Sequence, residues 1–244
     1  MKLIRAASVA CLLCCAILPV FGSGGKEQPL TGVVGNLLQH QSRAADFTLT
    51  DQHGAPFHMA ATKGKVVLMS FIYTHCTDIC PFIALKMKDA YALLGSDAAN
   101  VVFVAVTTDP KRDVPEVTAA YSRELGLFDA WHFVGGTPQA VQAVWAGYGI
   151  GVTIDPDTDA VASPKESKEA GGAGNDMEEP IQGLSKSDLS LAGTIIQQFG
   201  GGYDVGHSAP FWIVDKKGMI RVGMDADATP ADIVTNVRAL LKLR

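Results

Sequence analysis

Cys76 and Cys80 are separated by three residues in Cys76-Thr77-Asp78-Ile79-Cys80-Pro81, and His207 stands far downstream in Tyr203-Asp204-Val205-Gly206-His207-Ser208. Two thiols this close form a structural disulfide, a redox pair or part of a metal site. An apolar run, Lys65 to Tyr73, precedes them, and Pro81 suits the first turn of a helix. The thiols therefore belong where a buried strand gives way to a helix N-terminus, whose partial positive charge favours thiolate. Soft thiolates select Cu(I) or Zn(II), whereas imidazole suits zinc and either state of copper. Two thiolates leave a four-coordinate zinc short of ligands and satisfy a two-coordinate Cu(I). The spacing is one residue longer than the thioredoxin-type redox motif, which alters the loop without forbidding a disulfide. Spacing alone leaves disulfide, redox pair and metal site open.

His207 lies just before an apolar segment, Phe211 to Asp215, that reads as a strand. In a thioredoxin-like sheet the loop before such a strand lies beside the loop that carries the cysteines. An imidazole there can reach the thiols, and as a third ligand it would let the site hold Cu(II), which favours nitrogen donors. A lone histidine in a glycine-rich loop more often bonds backbone; beside a strand–CxxxC–helix unit, the ligand reading leads. Pro210 occupies the position where thioredoxin-like redox proteins place a cis-proline, a minor hint of redox ability. The remaining candidates are weaker. His75 is expected to point away from the thiols and at most to tune them. His53 and His58 read as surface residues, His132 as the start of a strand, and His40 as part of a polar lead-in. Asp78 and Asp109 read as solvated loop carboxylates. The methionines are scattered, without a Met-x-x-Met cluster.

The elements that must position these residues alternate between strand and helix. Asp46–Thr50 and Pro56–Met59, joined by Asp51-Gln52-His53-Gly54, predict a β-hairpin. Lys65–Tyr73 predicts a central strand buried on both faces. A helix follows the cysteines and ends near Gly95. Val101–Thr107 is a second buried strand, Val114–Leu125 a helix, His132–Val134 a short strand, and Thr137-Pro138 the cap and first position of another helix. After the strand at Phe211, Lys216-Lys217-Gly218 turns into a returning strand from Met219 to Val222, and a last helix starts near Thr229. This order implies an α/β, thioredoxin-like fold: parallel strands from the alternating units, a returning strand that makes the central sheet mixed, and helices on both faces. An acidic, glycine-containing insertion interrupts it from about 152 to 200. Asp155, Asp157, Asp159, Glu166 and Glu169 near its start make it a solvated lid, partner contact or spacer, and a short helix bearing Leu189, Ile195, Ile196 and Phe199 closes it.

The chain has 244 residues, 48% hydrophobic and 18% charged, with a formal net charge of −5. That suits one domain, 43–244, with appendages, and it presents no basic surface for nucleic acid. Residues 1–23 have the order of a secretory signal: Lys2 and Arg5, an uncharged apolar run from Ala6 to about Phe21, then small residues. The run is shorter than a comfortable span of roughly 20 residues. Cleavage near Gly22 or Ser23 is expected, and an uncleaved segment would instead attach the chain to a membrane. Residues 24–42 form the polar lead-in. The segment lacks the Arg- and Ser-rich character of a mitochondrial presequence, which favours a bacterial periplasm. Cys11, Cys14 and Cys15 would leave with it, so the mature chain keeps only Cys76 and Cys80.

The chain resembles the Sco/SenC family of copper-binding proteins, thioredoxin-like in fold and involved in cytochrome c oxidase assembly. The resemblance runs through Asp46-Phe47-Thr48-Leu49-Thr50-Asp51, through Gly64–Leu68 and Phe71–Pro81, through Thr108–Glu116, and through Gly206-His207-Ser208 with Ile213-Val214-Asp215. It implies Cys76, Cys80 and His207 as copper ligands for Cu(I) and Cu(II). It also implies a metallochaperone role, with delivery to a membrane oxidase subunit or exchange with another copper chaperone. A thiol–disulfide oxidoreductase, keeping a partner's copper-ligand cysteines reduced through Cys76 and Cys80, is the alternative. The sequence departs from the family at Thr77, where proline is usual, at Gly206, where aspartate is usual, and in the length of the insertion.

Overall fold

In the computed structural model, which describes residues 30–38, 42–154 and 182–243, the elements run β1 (Asn36–Leu37), β2 (Thr48–Thr50), β3 (Pro56–His58), β4 (Val66–Ile72), α1 (Cys80–Leu94), β5 (Val101–Thr107), α2 (Pro115–Glu124), β6 (His132–Val134), α3 (Pro138–Tyr148), β7 (Val152–Ile154), α4 (Lys186–Phe199), β8 (Val205–His207), β9 (Phe211–Val214), β10 (Ile220–Met224) and α5 (Pro230–Leu241). The signal-like segment, His40 and the acidic run at 155–181 lie outside the described residues.

Strand β4 is buried along its whole length, and its side chains alternate between two cores. Val66, Leu68 and Ile72 face α1, α2, α4 and α5. Val67, Met69 and Phe71 face α3 and the β2–β3 hairpin. The period-two alternation of a strand sends neighbouring apolar residues to opposite faces, so a continuous apolar run demands cover on both. Each large side chain buried this way contributes about 1.5–3 kcal/mol.

The six-stranded sheet has the order β1-β10-β9-β4-β5-β6. Strands β4, β5 and β6 are parallel, whereas β9 pairs antiparallel with β4, β10 with β9 and β1 with β10, so the sheet is mixed, as expected. The cause is local: the Lys216-Lys217-Gly218 turn makes β9 and β10 a hairpin, and a hairpin can only add antiparallel strands. The other expected elements lie where the pattern placed them. Thr137 caps α3, its hydroxyl accepting from the Ala140 N–H at 3.3 Å. A Thr229–Asp232 capping box opens α5.

Two segments add strands that the sequence pattern did not place. Part of the polar lead-in joins the sheet: β1 pairs with β10, and the Asn236 side chain bonds both the N–H and the C=O of Val34, at 2.8 and 2.7 Å. The edge of β10 leaves backbone groups unpaired, and the nearest extended segment takes them. The insertion opens with a strand that the pattern did not place and closes with the expected helix. Its first residues form β7, which pairs with β8 and sets Val152 opposite His207. Its last form α4, docked through the buried Ala192 and Ile195.

Candidate metal centre

Strand β4 ends at Ile72, and Tyr73-Thr74-His75 carries the chain to Cys76 before α1 begins at Cys80 with Pro81 in its first turn. No side chain caps this helix from Ile79. The Cys76 sulfur takes that place, accepting backbone hydrogen bonds from Asp78 and Cys80. Helix N-terminal N–H groups need acceptors, and a thiolate there is stabilised by them. Both cysteines are free thiols and both are buried. The Cys80 thiol also hydrogen-bonds the Cys76 sulfur, and with the Tyr73 hydroxyl these donors outweigh burial and bring the Cys76 pKa down to about 7. Burial pushes the Cys80 thiol up, and the adjacent Cys76 charge adds to it. Cys76 is thus the first thiolate, with Cys80 as its proton donor.

Strand β8 delivers His207 to the same place. Its Nε2 lies 3.4 Å from the Cys80 sulfur, and its Nδ1 lies 3.2 Å from the Ser208 carbonyl oxygen. A carbonyl only accepts, so Nδ1 carries the ring proton and the Nε2 lone pair faces the sulfur. Burial lowers the His207 pKa, which keeps the ring neutral. The ring meets the Tyr73 ring edge-on at 5.6 Å between centroids, and the Tyr73 hydroxyl accepts from the Val205 N–H at 3.3 Å.

The structure therefore joins Cys80 to both Cys76 and His207. Among the described residues, no three or more His, Cys, Asp or Glu side chains converge as a preformed cage. Cys80 adjoins both other groups: its sulfur lies 3.4 Å from His207 Nε2, and its thiol favours the charge on Cys76. The donor set nonetheless fits soft-metal chemistry: one thiolate, one thiol able to become a thiolate, and one imidazole with its lone pair directed inward.

The outlying candidates stay apart. His53 and His58 are exposed; His58 bonds Thr48 and His53 packs on Phe128. His132 pairs with Asp51 at 3.1 Å. His75 turns its Nδ1 to the Thr74 hydroxyl at 2.8 Å, while its carbonyl accepts from Gly201. Asp78 is exposed. No peptide bond is cis among the described residues, so the redox hint at Pro210 falls away; its carbonyl accepts from the Ser70 hydroxyl at 3.0 Å.

Asp109 is a correction: it is fully buried, paired with Arg112 and bonded by the Tyr203 hydroxyl at 2.7 Å. An acidic side chain at a strand end reads as solvated until a cation from the next turn and a phenol from ninety residues on are seen to cover it. Three further residues escaped the sequence. Tyr73 walls the site. Asp113 lies buried beneath the cysteine loop, its carboxyl pushed up to about 7 by burial despite bonds from Thr74 and Thr107. Tyr121 has a fully buried hydroxyl without a hydrogen-bond partner, near enough to Cys76 and Cys80 for their charge to raise its pKa further. Only the placement of Tyr73 between a buried strand and Cys76 offered a signal.

The departures also have local causes. A Cβ on Gly206 would stand 2.8 Å from Thr153 Oγ1 across the β7–β8 pair, so a side chain there requires Thr153 to move. A Cβ on Gly200 would meet the Thr77 methyl at 2.7 Å and the Ile196 carbonyl at 2.5 Å. The glycine lets α4 end against the cysteine loop.

The depressed Cys76 pKa has a direct readout. Alkylation of the reduced protein by iodoacetamide should rise through a midpoint near pH 7, since only thiolate reacts. A midpoint in the free-thiol range, about 8.5, would mean that the neighbouring donors do not hold the charge.

Residues 36–166 match the SCO1/SenC family; the match includes both cysteines and stops before His207. A SCO2-like protein of Rickettsia felis is 37% identical over 99 residues, which is 41% of this chain and 48% of that protein. The chain thus spans about half the length of the curated relatives it matches. The structure of Bradyrhizobium japonicum ScoI with copper bound superposes with a TM-score of 0.59 at 22% identity, covering 82% of this chain and 100% of that one. Apo Sco1 from Thermus thermophilus gives a TM-score of 0.58 at 25% identity, covering 89% and 100%.

Proposed function

Because this thioredoxin-like chain belongs to the SCO1/SenC family, we propose that it is a copper carrier whose cargo is held by Cys76, Cys80 and His207. The observation that carries this reading is the His207 Nε2 lone pair, directed at Cys80 from 3.4 Å while Cys80 hydrogen-bonds the Cys76 thiolate. Cu(I) is satisfied by the two sulfurs once Cys80 gives up its proton, so loading releases a proton and tightens as pH rises. Cu(II) draws on the imidazole as well.

Release is ligand exchange. A recipient's thiolates displace Cys76 and Cys80 one at a time, and no bond in the carrier itself is made or broken beyond those to the metal. The recipient class is a copper site on a membrane oxidase subunit, or another copper chaperone. Export to a bacterial periplasm rests on the charge-then-apolar order of residues 1–23. Among the described residues no helix is long and apolar enough to cross a membrane.

Metal analysis tests the reading. Fully reduced protein should retain close to one Cu(I) through gel filtration, and protein with Cys76 and Cys80 oxidised to a disulfide should retain none. Equal retention by both forms would remove the thiols from the site.

One observation favours a second reading. The Cys76 thiolate, with Cys80 beside it as a resolving thiol, suits disulfide exchange. Cys76 would attack a partner disulfide, forming a mixed disulfide and expelling one partner thiolate. Cys80 would then displace the second, leaving the carrier oxidised and the partner reduced. Rapid reduction of a test disulfide without copper uptake would promote this reading over the first.

A further inference from the structure

We propose that Arg112 is the positioning residue for His207, and that through it the protein sets its preference between Cu(II) and Cu(I). The inference rests on His207 being a copper ligand. Arg112 leaves the loop between β5 and α2 and fastens the segment that leads into β8. Its Nε pairs with Asp109, its Nη1 donates to the Gly201 carbonyl at 2.9 Å, and its Nη2 donates to the Tyr203 carbonyl at 2.8 Å. The guanidinium carbon lies 3.7 Å from the centroid of the Tyr203 ring, whose hydroxyl returns to Asp109 at 2.7 Å. Asp109, Arg112 and Tyr203 thus close a ring across two loops far apart in sequence. Gly202 gives Arg112 its room: a Cβ there would stand 2.6 Å from Nη1.

From this clamp to the imidazole the path is short. The Gly201 N–H donates to the His75 carbonyl at 3.2 Å, tying the same segment to the cysteine loop. Two residues after Tyr203, the Val205 N–H donates to the Tyr73 hydroxyl. Tyr73 lies under Arg112, 5.7 Å from its guanidinium carbon, and against the edge of His207. Gly206, immediately before the histidine, has no side chain with which to anchor it. The β7–β8 pairing holds the backbone of His207, and the course of the chain into that pairing and the turn of the ring come from these upstream contacts and the Ser208 carbonyl. Lysine cannot replace Arg112, because a single ammonium cannot reach one carboxylate and two carbonyls in one plane while stacking on a phenol ring.

The two thiols share one loop and need no help from Arg112 to meet Cu(I). Only the nitrogen donor arrives on the clamped segment, so loosening the clamp should weaken Cu(II) selectively. Arg112→Ala, Arg112→Lys and Tyr203→Phe are compared with wild type and with His207→Ala, each alone and Arg112→Ala also combined with His207→Ala. Cu(II) affinity is followed through the thiolate-to-copper absorbance and Cu(I) affinity by competition with bathocuproine disulfonate. Arg112→Ala and Arg112→Lys should weaken Cu(II) by roughly 10–100-fold, the range for partners that orient a metal ligand, and Tyr203→Phe by less. Cu(I) should stay within about threefold, and Arg112→Ala should add nothing once His207 is gone. If Arg112→Ala fails to fold, Arg112→Lys and Tyr203→Phe carry the same comparison. Equal losses for both oxidation states, or an undiminished Arg112 effect without His207, would overturn the assignment. An intact Cu(II) affinity in His207→Ala alone would overturn both this inference and the ligand role beneath it.

Discussion

Cys80→Ser should cost Cu(I) binding on the order of 10³-fold, about 4 kcal/mol, with the fold intact. Cys80 adjoins both of the other donors: its thiol favours the thiolate of Cys76, and its sulfur lies 3.4 Å from His207. A serine hydroxyl keeps the shape and can still donate to Cys76. It stays protonated at neutral pH and is a hard donor, so Cu(I) is left with one thiolate where it requires two. Cys76→Ser should lose copper to a similar degree, and because the serine oxygen still accepts from the N–H groups at the start of α1, its melting temperature should change little. Chelator competition on reduced protein reads the affinity, and circular dichroism reads the fold. Either variant retaining wild-type affinity for Cu(I) would remove that sulfur from the site.

His207→Ala should separate the oxidation states. Cu(II) affinity should fall by roughly 10²-fold, about 3 kcal/mol, and Cu(I) affinity by less than about fivefold. The asymmetry follows from donor chemistry. Cu(I) is content with two sulfurs, whereas Cu(II) gains from the nitrogen, which here is neutral, half-buried and already turned inward by the Nδ1–H bond to Ser208. The copper hyperfine pattern in electron paramagnetic resonance should lose its nitrogen contribution in the same variant. Equal losses for both states would mean that His207 acts by packing against Tyr73 rather than by coordination.

Much of this was legible from residues close together in sequence. The buried run from Lys65 to Tyr73, the two thiols after it and Pro81 define a strand, a loop and a helix start, because side-chain alternation and proline's fixed φ act over a few residues. Thr137 announced its helix by capping in the same local way, and the start near Thr229 proved to be a capping box as well. Asp109, by contrast, has nothing around it in sequence to mark it as buried. Its burial depends on Arg112 and on Tyr203, which arrives from the far side of the insertion. The strand at Asn36–Leu37 was equally invisible, since two exposed residues in a polar stretch pair only because the edge of β10 offers them partners.

The sequence by itself determined the chemistry available: two cysteines at a helix N-terminus, a distant histidine before a strand, and the alternating cores that hold the sheet between helices. Residue type and short-range spacing are sufficient for that, because pKa tendencies, capping and burial patterns arise from neighbours along the chain. Only the tertiary structure decided that His207 meets Cys80 rather than solvent, that its free lone pair faces the sulfur, and that Asp109, Arg112 and Tyr203 hold the segment leading to it. Those contacts join segments about a hundred residues apart. They are set by how β4 and β9 pair and by where α4 and the β7–β8 ribbon dock, which no spacing along the chain records.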